Sequence, residues 1–109
     1  MLYNSCMADY TLQDPTVLSI LRSLGRHPNW TACEPHVLEQ ELDIPVADLE
    51  EEEEGYFMMR TDRVIEVVGA MTFLIEKGLV EGDIRTNKDR FICSGIRLTS
   101  AGKDHVPEG

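Results

Sequence analysis

The spacing of apolar positions divides the chain into helical stretches followed by extended ones. Asp14-Pro15 opens the first strong signal. An aspartate can accept hydrogen bonds from the free amides of a helix start. Proline suits the first helical position because its missing N–H would be unpaired there. Val17, Ile20, Leu21 and Leu24 then recur on one helical face, and Gly25 supplies a stop, which predicts a helix over about 15–24. His27-Pro28-Asn29-Trp30 reads as a turn, and Thr31-Ala-Cys-Glu34 has the spacing of a capping box. Val37, Leu38 and Leu42 give a short apolar face, predicting a second helix over 34–42 that Asp43-Ile-Pro45 breaks. Residues 1–13 have no clear period and read as an N-terminal arm.

The strongest helical segment starts at Asp62 and runs to about Lys77. Val64, Val67, Val68, Met71, Leu74 and Ile75 share one broad face, and Gly78 ends the run. Leu79-Val80-Glu81-Gly82 begins an extended stretch. Residues 84–87 and 91–98 read as two strands joined by a turn near Asn87-Lys88-Asp89. Thr99 caps a short terminal helix, Pro107 bars its continuation, and 107–109 form a tail. Between helices two and three lies the stretch 43–59. Its Glu50, Glu51, Glu52, Glu53 and Glu54 repel one another, so a solvated acidic loop or a frayed helical turn is expected. The apolar Tyr56-Phe57-Met58-Met59 after it is expected to fold back on the core.

At residues 73–106 this order takes a recognisable form. Phe73-Leu-Ile-Glu-Lys-Gly-Leu-Val80 resembles the end of the third helix and the start of the wing in winged helix-turn-helix proteins. Ile96-Arg-Leu-Thr-Ser-Ala-Gly102 resembles the strand-to-helix exit from that wing. The pattern is similar to MarR- and PadR-type winged helices and to small winged-helix proteins of phage and prophage. The match covers 60–106 by motif and 14–42 by element order. The resemblance implies an α+β fold spanning 14–106, with a three-helix core, a two-stranded antiparallel wing and a short C-terminal helix. It also implies a DNA-binding regulator, often a homodimer, that works through helix three and the wing. The chain departs from the pattern where the family has a tight turn: some twenty residues separate helices two and three.

Composition sharpens the choice of partner. The chain has 109 residues, enough for one domain, and a net charge of −10. The first 59 residues hold two basic and twelve acidic side chains, and the remainder balances at eight and eight. On a DNA reading, Arg85, Lys88, Arg90 and Arg97 on the wing and Arg60 and Arg63 at the start of helix three would meet phosphates. Ordinary surface charge on a hairpin explains the same residues. Helix three carries Asp62, Glu66, Gly69, Ala70, Phe73, Glu76 and Lys77 opposite its apolar stripe, with no asparagine or glutamine to read bases. That face suits protein contact, with Glu66 and Phe73 in it. Phe73 packed under the arm or the acidic loop is the alternative. The glutamate run would then act as a solvated loop, a contact for a basic partner, or a cover over the basic wing.

No nucleophile stands with a matched base, and no Gly-rich phosphate loop occurs, so no enzyme, cofactor or small-molecule substrate is expected. Cys33-x-x-His36 offers two ligands where a structural zinc site wants about four, His27 and Cys93 could join them only through the fold, and no metal is expected. Cys6, Cys33 and Cys93 are odd in number and widely spaced, which implies no disulfide framework. No run approaches a membrane span, and the N-terminus lacks the pattern of a secretion signal, so a cytoplasmic protein without a membrane partner is expected. The expected functions are a DNA-binding regulator and an acidic protein-interaction module that leaves DNA alone.

Overall fold

The computed structural model describes residues 10–27, 35–52 and 55–107. Helix α1 spans Pro15–Arg26, α2 Pro35–Leu42, α3 Asp62–Glu76 and α4 Ser100–Lys103. Strands β1 (Leu49–Glu52), β2 (Gly55–Met59), β3 (Val80–Asn87) and β4 (Arg90–Leu98) form one antiparallel sheet in the order β1-β2-β4-β3. The fold class is α+β.

Helices α1, α3 and α4 each start at a capping side chain. Asp14 Oδ1 accepts from the amides of Thr16 and Val17 at 2.9 and 3.4 Å. Thr61 Oγ1 accepts from Val64 N at 3.4 Å. Thr99 Oγ1 accepts from Gly102 N at 3.0 Å, the cap expected for the short last helix. Helix α3 ends in a Schellman arrangement. Gly78 N donates to Ile75 O and Leu79 N to Leu74 O, both at 3.0 Å, with Gly78 at φ +78°. That left-handed turn sends the chain directly from α3 into β3.

Two expectations are corrected. The stretch 43–59 is not a loop insertion: a 3₁₀ turn over Val46–Asp48 leads into the β1–β2 hairpin. The sheet therefore has four strands where two were expected. The physical reason is the ladder. β2 pairs with β4 from Gly55↔Ser94 to Met59↔Arg90, and β1 then pairs with β2 from Leu49↔Met58 to Glu52↔Gly55. Backbone bonding and the burial of Tyr56 and Met58 outweigh the weak strand preference of glutamate.

One face of the sheet lies against the helices. Val17, Ile20, Leu21 and Leu24 of α1 meet Val64, Val67, Met71 and Leu74 of α3 and Leu38 and Leu42 of α2, all buried. The sheet contributes Leu49, Tyr56, Met58, Val80, Phe91, Cys93 and Ile96 to the same core. Ala70, expected on the outward side of helix three, is also buried. A bulge keeps β4 in phase with this core. Between Glu81↔Arg97 and Asp83↔Ser94, β4 carries one residue more than β3. Gly95 there takes φ +66°. The extra residue switches parity, so Ile96 is buried as Phe91 and Cys93 are, and Arg97 turns outward.

Candidate functional site

The other face of the sheet is turned to solvent, and it carries the predicted site residues Glu50, Arg85, Arg90 and Arg97. Alternation along paired strands assigns its members. Glu50, Phe57, Ile92 and Arg85 lie in one row across all four strands. Met59, Arg90 and Asn87 form the next row toward the β3–β4 turn. Asp83 and Ser94 lie on the other side, with Glu81 and Arg97 beyond the bulge. Phe57, Met59 and Ile92 are half-buried, and the charged members around them are exposed.

Charge of both signs is interspersed on this face. Arg85 Nε lies 2.7 Å from Asp83 Oδ2, and Arg97 Nε lies 3.0 Å from Glu81 Oε2. The Arg90 guanidinium sits 5.8 Å from the centroid of Phe57. Glu50, Glu81 and Asp83 thus stand with Arg85, Arg90 and Arg97, and Glu52, paired with Gly55, holds a fourth acidic position of the same face. Lys88 and Asp89 at the hairpin tip cancel. The pairs are solvent-exposed and individually weak, so their effect lies in the pattern they present and not in stability.

The remaining predicted residues fall elsewhere. Arg63 is half-buried. Its Nε donates to Leu42 O at 2.9 Å, and its Nη1 donates to Thr16 Oγ1 at 2.8 Å and Glu66 Oε1 at 3.1 Å. It ties α3 to α1 and to the end of α2. Arg60 lies beside the hairpin tip, with its amide on Asp89 O at 3.0 Å and its guanidinium 5.8 Å from the Phe91 centroid. Glu66 is exposed, and its backbone carbonyl accepts from the Tyr10 hydroxyl at 2.9 Å. Phe73 packs at 6.2 Å between centroids against Tyr10, with Lys77 Nζ 5.6 Å from its ring. Gly69 makes room for that tyrosine, since a Cβ there would come within 2.6 Å of the Tyr10 hydroxyl. The small-residue face of helix three is thus covered by the chain's own residue 10.

Glu51 and Glu52 are carried by β1, while Glu53 and Glu54 lie outside the described residues. Cys6 and Cys33 also lie outside them. Among the described residues no cluster of three metal-ligating side chains occurs. Buried Cys93 has its thiol pushed up to about 12 by burial, with Asp83 adding to the shift. It is therefore protonated, and a poor nucleophile, at neutral pH. No described helix is long and apolar enough to cross a membrane.

Sequence reasoning does not single out the apolar cluster. Tyr56 and Met58 point one way and Phe57 and Met59 the other, but all four are apolar, so the alternation shows only once the strand is paired. The glutamates before it conceal the strand. Comparison with known proteins adds no relative: no family model, curated protein or solved structure matches the chain.

Proposed function

We propose that this chain is a variant winged-helix module, without catalytic chemistry, that works by protein contact through the outer face of its sheet. The observation that carries this reading is the half-buried trio Phe57, Met59 and Ile92 set inside a mixed-charge ring of glutamate, aspartate and arginine. An apolar centre with a polar rim, rich in aromatic residues, methionine and arginine, is the composition of a protein interface. The winged-helix reading draws on the order of α1, α2, α3 and the β3–β4 hairpin. The variation lies in the β1–β2 hairpin, which replaces the tight turn between helices two and three.

The test is capture of partners by the protein and by Ile92→Arg, with Ile65→Arg as control. Ile65 is exposed on α3, on the helix side of the sheet, so both changes leave the core intact. A partner lost with Ile92→Arg and kept with Ile65→Arg is the expected outcome. A partner lost only with Ile65→Arg would move the interface to the helices.

A second reading, DNA contact through the hairpin tip, is favoured by one observation. Arg60, Lys88 and Arg90 gather at one end of the sheet with Asp89 as their nearby acid. If these three neutralise phosphates, changing them together to Ala lowers the salt slope of DNA binding by about 0.9 per lost contact.

A further inference from the structure

Strand β3 ends the sheet, and its far edge has no strand beside it among the described residues. Its residues 81–87 are exposed except for half-buried Ile84. Successive backbone groups of a strand point to alternate edges. Two copies pairing about a two-fold axis can therefore centre only on a residue of the strand, so that edge-pointing groups meet. The charges of β3 discriminate among those centres. Glu81, Asp83 and Arg85 occupy alternate positions on one face. Centring on Gly82 sets Glu81 against Asp83, centring on Asp83 sets aspartate against aspartate between two Glu81–Arg85 pairs, and centring on Arg85 sets arginine against arginine. Centring on Ile84 alone places Asp83 of each copy opposite Arg85 of the other, with Ile84 against Ile84 and Glu81 against Asn87.

We propose that the chain forms a homodimer by antiparallel pairing of β3 with β3 of a second copy, centred on Ile84. The join makes one continuous sheet and places two outer faces side by side. Charges on an edge strand ordinarily block pairing with foreign strands. Here the Ile84 register is the one that pairs opposite charges without setting any like charges together. This surface is the sheet edge, so the pairing is independent of the outer-face reading above.

The experiment is sedimentation of the protein over a concentration series reaching the millimolar range, alongside Asp83→Arg and Arg85→Asp. Both side chains are more than half exposed, so the fold is retained and circular dichroism confirms it. A concentration-dependent dimer is expected. Each variant alone loses it by at least tenfold in affinity, because like charges now face across the pair. An equimolar mixture restores it, since one variant's cations face the other's carboxylates. Hydrogen exchange gives a second reading on the unaltered protein: amides of β3 slow as concentration rises. A monomer throughout, a dimer indifferent to both substitutions, or a mixture that fails to recover would each overturn the proposal.

Discussion

At the residue scale, Arg63 separates a structural cation from an available one. Its guanidinium bonds Leu42 O, Thr16 Oγ1 and Glu66 Oε1, and three elements converge on it. A hydrogen bond to a charged group contributes about 1.5–3 kcal/mol to stability. Arg63→Met should therefore lower unfolding free energy by about 2 kcal/mol in urea, and it should leave any surface binding unchanged. Gly78 is a second sensitive point. At φ +78°, a side chain there meets the left-handed penalty of about 1–2 kcal/mol per residue. Gly78→Ala should lower unfolding free energy by that much, read from the shift of the denaturant midpoint. The space where a Cβ would stand is open, so backbone strain alone accounts for the loss. Gly78 is identifiable as a stop signal from Lys77-Gly78-Leu79. Arg63 is not identifiable as a clamp, since its partners lie 21 and 47 residues away.

At the element scale, α1 and α2 are tied by Glu41. Its Oε2 lies 3.2 Å from His27 Nε2 and 3.4 Å from Arg26 Nη1. Burial opposes its ionisation, but hydrogen bonds from Ser23, His27 and Arg26 and the charge of His27 outweigh that, holding its pKa below the ordinary 4.5. A carboxyl with a depressed folded pKa adds stability above its unfolded pKa. That stability is lost as pH falls from about 4.5 through the lower folded value. Thermal melts should show a drop in Tm across that acid window, reduced in Glu41→Gln. The two proteins should converge once pH lies below the folded value.

The elements also show how far sequence reasoning reaches. Helices α1 and α3 are recognisable from their apolar stripes and glycine stops, α1 also from its Asp14 cap, and β3–β4 from its turn. The β1–β2 hairpin is concealed by its composition. Five successive glutamates read as a solvated run, and Tyr56 to Met59 are all apolar, so the period of two is invisible. Only pairing with β4 makes this segment a hairpin, and that partner is more than thirty residues further along the chain. The bulge at Gly95 escapes for the same reason: it exists only relative to β3. Tyr56→Ala, removing a fully buried ring that anchors β2, should cost about 3–5 kcal/mol in urea unfolding.

At the scale of the whole molecule, the basic residues that pointed to DNA are distributed over different tasks. Arg63 serves the core, Arg85 and Arg97 lie against carboxylates of β3, and Arg90 lies over Phe57. The net charge of −10 surrounds a sheet face whose arginines are matched or outnumbered by carboxylates. Such a surface has no positive field to draw in a phosphate backbone. The proposed winged-helix reading does not override that distribution, since function resides in the surface presented.

The most direct measurement is binding of the intact protein to generic duplex DNA across a salt series starting at about 50 mM, where phosphate contacts are strongest. The account predicts no saturable binding at any salt concentration. Saturable binding whose logarithm falls with log salt by several multiples of about 0.9 would contradict it.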